Sequence, residues 1–268
     1  MPHHLSNIRA VIMDADGVLW RGDTPIDGAS RWISHLQAQG IPYIIATNNS
    51  SKSPQEYQQK LERLQIARVT PEHIVSSGMV TASFLAREYP AGATVFVVGG
   101  DGLRELIAAA GMTLVTDEQP DVVVVGIDFA LTYDKLRRAS DFIRRGARFI
   151  GTNADRTFPL PEGPAPGAGS ILALLQTATD VAPEVMGKPG RAMFETALAV
   201  MGAAAEHTLM IGDRMDTDIL GAIDAGLMTA LVLTGVDTRD TARTYPTQPD
   251  IITPDLNALL DTWLGVKS

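Results

Sequence analysis

The stretch Arg9-Ala10-Val11-Ile12-Met13, followed at once by Asp14-Ala15-Asp16-Gly17, decides how this chain is read. Four apolar residues run without alternation into two carboxylates and a glycine. A strand with one wet face would alternate polar and apolar side chains, whereas a continuous apolar run reads as a strand covered on both faces, the mark of a parallel sheet. The same pattern recurs at 42–46, 94–98, 122–126, 147–150, 208–211 and 229–233. Helix-length amphipathic segments lie between and around these runs, at 29–39, 54–64, 79–89, 102–110, 133–145, 169–179, 191–201, 216–225 and 256–264. Alternation of this kind predicts an α/β fold with helices on both faces of parallel sheet. One stretch breaks the rhythm: Pro159 to Gly169, PLPEGPAPGAG, is too rich in Pro and Gly for a regular element and reads as a loop.

Composition bounds the chemistry. The chain has 268 residues, 45% of them hydrophobic, which is ample for a buried core in one large domain or two modest ones. It has no cysteine, so disulfides, thiolate metal sites and a cysteine nucleophile are excluded, and covalent catalysis must use another side chain. The net charge of −9 and the lack of a basic run argue against nucleic acid, which needs clustered Lys and Arg. The first ten residues lack the apolar core of a signal peptide, and no apolar run approaches a membrane span. A soluble cytoplasmic protein is expected.

In open parallel sheets ligands bind beyond the carboxyl ends of the strands, so the residues after each strand carry the functional reading. Asp14 and Asp16 after the first strand either face one crevice or form an ordinary Asp-Gly turn. Thr47-Asn48-Asn49-Ser50-Ser51 after the second offers hydroxyls and backbone N–H groups that suit phosphate oxygens, or caps the next helix. Asp213, Asp216 and Asp218 crowd the turn after 208–211; such repelling charges suggest a cation, and all-oxygen donors suit Mg²⁺, although a helix N-terminus also welcomes acids. Lys188 sits in Met186-Gly187-Lys188-Pro189-Gly190, which is not a P-loop because Ala182 stands at the early glycine and Pro189 replaces Ser or Thr. Gly99-Gly100-Asp101-Gly102 lacks the third glycine of a dinucleotide fingerprint, with Glu105 in its place.

Taken together, Asp14-x-Asp16-Gly17-Val18-Leu19, Thr47-Asn48-Asn49, Gly187-Lys188-Pro189 and Gly212-Asp213-x-x-x-Thr217-Asp218 resemble the four motifs of the haloacid dehalogenase superfamily of phosphohydrolases. Leu19-Trp20-Arg21-Gly22-Asp23, Pro25-Ile26-Asp27-Gly28, Gly151-Thr152-Asn153-Ala154-Asp155 and Pro166-Gly167-Ala168-Gly169-Ser170 are similar to one subgroup, subfamily IIA, which contains NagD and the p-nitrophenyl, phosphoglycolate and pyridoxal phosphate phosphatases.

The resemblance implies a Rossmann-like core, residues 1–89 and 184–268, interrupted by an α/β cap of the C2 type at 90–183. It places Trp20 to Asp27 in a small hairpin beside the catalytic loop, with Trp20 packing there and carrying no chemistry. It implies Asp14 as nucleophile and Asp16 as general acid and base. Mg²⁺ would be held by the Asp14 carboxylate, the Asp16 carbonyl and the Asp213 carboxylate. Thr47, Lys188 and the backbone N–H groups of Asn48 and Asn49 would take phosphoryl oxygens, and Asn153 would contact substrate. Asp218 would orient the metal side or Lys188, Asp216 is accounted for by capping, and Asp155 has no firm role.

The activity so implied is a Mg²⁺-dependent hydrolysis of a small phosphomonoester, such as a sugar phosphate, nucleotide monophosphate or phosphoglycolate, through an aspartyl phosphate. The subgroup also implies a homodimer through the cap. The segment from Arg156 to Pro166 sits where specificity would be set. A hydrolytic dehalogenase is disfavoured by Asp16, and a mutase generally has a helical cap. A phosphoryl-accepting receiver is about 120 residues long with an acidic pair ahead of the phosphorylated strand end, and a non-catalytic binding relative has no need of both Asp14 and Asp16.

Overall fold

The computed structural model describes residues 5–50, 52–160 and 163–266. Two compact units emerge from the packing. One joins the chain through Thr47, the stretch Pro54–Val75 and the chain from Phe194 onward; the other comprises Asn48–Ser53 and Ser76–Met193.

The first unit is built on a six-stranded sheet in the order Ile251–Thr253, Met228–Val232, Thr208–Gly212, Ala10–Met13, Tyr43–Thr47, Ile74–Ser76. In chain order this is 6-5-4-1-2-3, the doubly wound order of a Rossmann sheet. The pairings from Ile251–Thr253 through Tyr43–Thr47 are parallel. All four residues of Ala10–Met13 are buried, as their unbroken apolar run requires. Val11, Met13, Tyr43, Ile45, Leu209 and Ile211 join Trp32, Ile33 and Leu36 of the Ala29–Gln39 helix in one core. That helix ends at Gly40, whose φ of 62° lets its N–H return to the carbonyls of Leu36 and Gln37.

The second unit carries its own five-stranded sheet in the order Glu184–Val185, Arg148–Gly151, Val122–Val125, Thr94–Val98, Thr113–Leu114, parallel throughout. One uninterrupted α/β rhythm in the sequence therefore produces two sheets. The main stretch of the second compact unit opens at Ser76 and runs to Met193. The Ser77–Glu88 helix packs on the Asp101–Ala109 helix and belongs to the second unit, as do residues 184–193.

Besides the short strands Ile74–Ser76, Thr113–Leu114, Glu184–Val185 and Ile251–Thr253, three elements differ from the sequence expectation. The stretch read as a loop from Pro159 contains a ribbon, Thr157–Leu160 antiparallel to Gly163–Pro166, with residues 161 and 162 outside the described set. A two-stranded ribbon has only edge strands, so its prolines remove no inner ladder bond. The helix expected at 216–225 starts as a π-helical turn, Met215–Ile219, before the α-helix Leu220–Asp224. A short helix, Arg239–Arg243, was not expected; Thr238 and Thr241 form its capping box.

Each sheet carries the same clasp at the amino ends of its strands. In the second unit Asp121 Oδ2 accepts the N–H and the hydroxyl of Thr94, both at 2.8 Å, and Asp121 N–H returns to Thr94 Oγ1 at 3.0 Å. In the first unit Thr229 and Asp250 repeat the arrangement at 2.8, 2.9 and 3.0 Å. The Thr94 backbone N–H, then its hydroxyl, hold the Asp121 carboxyl below the usual carboxylate range. A depressed folded-state pKa contributes stability above the unfolded value, about 3.9, and loses it as pH falls through the folded value. Thermal melts of wild type and Asp121→Asn should therefore differ at pH 6 and converge towards pH 3.

Candidate active site

Sheet register sets the first group of side chains. Met13 stands opposite Ile211 on one side and Ile45 on the other, so Asp14 is the first residue beyond the ladder, its N–H bonded to the Ile211 carbonyl at 2.9 Å. Asp213 follows Gly212, the last strand residue of the neighbour. These two strands flank the point where the sheet's winding reverses, the position at which such sheets bind ligands beyond their carboxyl ends. Carboxylate oxygens of Asp14, Asp213 and Asp218 lie within 4.8 Å of one another, the only such acidic or His group among the described residues; Asp213 and Asp218 are buried.

Backbone amides hold this cluster. Asp213 Oδ2 accepts Val236 N–H at 2.7 Å, and Asp218 Oδ2 accepts the N–H groups of Asp213 and Arg214 at 3.2 Å each. The last two bonds draw Asp218 back toward the strand end, within the π-helical turn, a distortion common at functional sites. The backbone also presses close. A Cβ on Gly17 or Gly235 would strike the Asp213 carboxylate, and one on Gly212 would strike that of Asp218. Gly17 has in addition a φ of 87°, a conformation L side chains rarely adopt. Three carboxylates gathered by N–H donors and packed under bare backbone fit a hard divalent cation bound by oxygen. Asp216 lies outside the cluster, exposed and paired with Arg214 at 3.0 Å.

Asp16 takes a different partner. Its Oδ1 accepts the Trp20 indole N–H at 2.8 Å. The buried Trp20 ring stacks on Tyr57, with centroids 6.2 Å apart, and the Tyr57 hydroxyl meets Thr47 Oγ1 at 3.5 Å. Burial pushes the Tyr57 phenol far up, the negative charges of Asp16 and Asp14 adding to the effect against the Thr47 bond, so it stays neutral.

The second unit gathers the other predicted residues. The Asn48 side chain pairs with the backbone of Lys188 in both directions: Oδ1 accepts Lys188 N–H at 2.8 Å, and Nδ2 donates to its carbonyl at 2.9 Å. Only one orientation of the amide satisfies both bonds. Asn48 Nδ2 also reaches Asp155 Oδ1 at 3.2 Å, and Asp155 Oδ2 accepts Asn153 Nδ2 at 3.0 Å. Thr152 Oγ1 donates to Asn153 Oδ1 at 2.8 Å. The Asn153 amide, expected to contact substrate, is thus buried and engaged at both ends within the unit. Lys188 is buried, Asn49 is half-buried, and Ser51 of the expected hydroxyl cluster lies outside the described residues.

Two features were missed in the sequence. The partnership of Asn48 with Lys188 spans 140 residues and has no local signal. Thr234-Gly235 follows the Met228–Val232 strand and so obeyed the strand-end rule. Thr234 Oγ1 donates to the Gly17 carbonyl at 2.6 Å.

Family comparison agrees with this geometry. A family model described as haloacid dehalogenase-like hydrolase matches residues 11–113, and one described as HAD-hydrolase-like matches 185–259. The acid sugar phosphatase of Staphylococcus saprophyticus is 39% identical over 96% of this chain and 98% of its own length. The chain belongs to the haloacid dehalogenase-like hydrolases. Among solved structures of the family, 4-nitrophenylphosphatase from Thermotoga maritima superposes with a TM-score of 0.91 at 32% identity, covering 97% of this chain and 99% of that one. Glycerol phosphate phosphatase from Mycobacterium tuberculosis, in complex with magnesium, gives 0.88 at 35% identity, covering 97% and 78%. Among the described residues no helix is long and apolar enough to cross a membrane.

Replacing Asn48 by Ala deletes both bonds to the buried Lys188 backbone, at a cost of about 1–3 kcal/mol for each group left unsatisfied. The urea midpoint should fall accordingly. Asn48→Asp, which sets a carboxylate against the Lys188 carbonyl and Asp155, should fall at least as far.

Proposed function

We propose that this hydrolase is a phosphatase of small phosphomonoesters that works through an aspartyl phosphate on Asp14. The observation that carries the reading is the pair of strand-end carboxylates, Asp14 and Asp213, meeting Asp218 at the winding reversal of the sheet. Named phosphatases with which the chain aligns over nearly its whole length support the same class.

Asp14 attacks phosphorus in line, its oxygen forming the new O–P bond as the bond to the ester oxygen breaks. Asp16 gives its proton to the departing ester oxygen, then takes one from the water that cleaves the aspartyl phosphate, which restores Asp14 and releases phosphate. Mg²⁺ would be held by Asp14 and Asp213, with the Asp16 carbonyl, and Asp218 beside them. When bound, it would offset the charge of carboxylates and phosphate and polarise a phosphoryl oxygen.

Thr47, Lys188 and the backbone N–H groups of Asn48 and Asn49 are assigned to phosphoryl oxygens on the family motif. Asn153, engaged on both sides by Thr152 and Asp155, is better suited to shaping its loop than to reading substrate directly. Residues 90–183 are the proposed cap, and a cap-mediated homodimer carries over as an expectation of the subgroup. Sugar phosphates head the substrate panel because the staphylococcal relative is named for them.

Hydrolysis of p-nitrophenyl phosphate should require Mg²⁺ and stop with EDTA. Asp14→Asn should release no p-nitrophenolate. Asp16→Asn should release at most one equivalent per enzyme and then stall, since no base activates the water that cleaves the aspartyl phosphate. Steady turnover by both variants at the wild-type rate overturns the mechanism. Separately, calorimetric titration with Mg²⁺ should give binding by wild type and none by Asp213→Asn.

A further inference from the structure

Trp20 was expected to do no more than pack the hairpin. Its surroundings assign it more. The chain from Ala15 makes one tight turn, in which the N–H groups of Leu19 and Trp20 return to the Ala15 carbonyl at 2.9 and 3.3 Å and Gly17 N–H reaches the Trp20 carbonyl at 2.8 Å. That turn folds residue 20 over residue 16 and sets the indole N–H on Asp16 Oδ1 at 2.8 Å. The ring cannot drift. It is fully buried, stacked on Tyr57, and has Lys60 Nζ 4.5 Å from its centroid. Trp20 also opens the two-stranded ribbon Trp20–Arg21 with Thr24–Pro25, where it stands opposite Pro25.

We infer that Trp20 is the positioning residue of the acid–base carboxylate: its N–H occupies Asp16 Oδ1 as acceptor and so directs the transferable proton to Oδ2. The inference rests on the proposed role of Asp16. An indole N–H is a donor and nothing else, so the oxygen it faces must accept, and a neutral Asp16 carries its hydrogen on the other oxygen. From Oδ2 the proton passes to the ester oxygen as the P–O bond breaks, its electron pair staying with that oxygen. The same atom later receives the proton of the attacking water. Without the indole, either oxygen could hold the proton and the carboxyl could turn about its χ2 torsion, which has a broad, two-fold profile.

Positioning of a general acid has a signature that a structural role lacks. Protonation matters most when the leaving group is a poor one, and kcat/KM reports only the steps through departure of that group. The test measures kcat/KM for a series of aryl phosphates from p-nitrophenyl to unsubstituted phenyl in wild type, Trp20→Phe and Trp20→His, and for Asp16→Asn the second-order rate constant of its single release of phenol with enzyme in excess, with folding followed by circular dichroism.

Trp20→Phe should lose about 10-fold more on phenyl phosphate than on p-nitrophenyl phosphate, a part of the ~10²–10⁴ that general acid catalysis supplies. Trp20→His, which restores a ring N–H, should recover part of the difference. Equal losses across the series, or none, overturn the inference. If Trp20→Phe does not fold, Tyr57→Leu, which frees the ring but keeps its N–H, should show the same selective loss, and a uniform one overturns the inference. Asp16→Asn separates the two readings. A wild-type dependence on leaving group in that variant removes Asp16 as the acid, whereas a steep dependence there with a wild-type one in Trp20→Phe removes Trp20 alone.

Discussion

Like charges set the terms of this site. Two carboxylate oxygens carrying unit charge and no more than 4.8 Å apart repel by about 3 kcal/mol or more at an effective dielectric near 20, and Asp14, Asp213 and Asp218 present three such pairs. Hydrogen bonds from Val236, Asp213 and Arg214 N–H groups to the buried members offset part of this. A cation would offset more of it, which ties the proposed Mg²⁺ to the fold as well as to the chemistry. The parallel pairing of Ala10–Met13 with Thr208–Gly212 brings the first two acids together across nearly two hundred residues of chain. Gly17, Gly212 and Gly235 then remove the side chains that would push them apart.

That much of the site was legible because an acid directly after an unbroken apolar run falls, in a parallel sheet, at the strand end where ligands bind. Four short strands were not legible: Ile74–Ser76, Thr113–Leu114, Glu184–Val185 and Ile251–Thr253. Two or three residues carry no period, and these segments are strands only because a longer neighbour offers its edge. The ribbon around Gly163 was hidden by its prolines, which rule out an inner strand but not an isolated pair. The π-helical turn was hidden for another reason. Its start coincides with the local bonds from the Asp213 and Arg214 N–H groups to Asp218, and helical periodicity carries no record of those.

The polar network of the second unit marks a further limit of motif reading. Asn48 and Lys188 belong to separate motifs, each recognisable, yet the sequence says nothing of the amide that joins one to the backbone of the other. A buried lysine is costly unless its backbone and head group are both fixed. The Asn48 bonds supply the first of these, while Asp155 and Asn153 brace Asn48 from behind. Asp155, which motif reading left without a role, thereby gains one in holding shape. Asn153, expected from the motif to contact substrate, takes part in the same brace.

The two catalytic aspartates proposed here differ in what holds them, and the difference follows from their tasks. Asp14 must meet phosphorus along one line, and it stands one residue beyond a fully buried strand, its N–H still bonded to the neighbouring strand. Asp16 must serve an ester oxygen and then a water, and it sits in the turn beyond, where its backbone makes only an isolated bridge with Trp20. A carboxyl there would have rotational freedom that neither proton transfer can use. A single donor-only contact from a buried ring packed against Tyr57 and Lys60 removes that freedom while leaving the second oxygen open. The hairpin that carries Trp20 is then part of the acid's support, and its four-residue separation from Asp16 is a constraint of geometry, because a longer turn would no longer bring the indole back over the carboxylate.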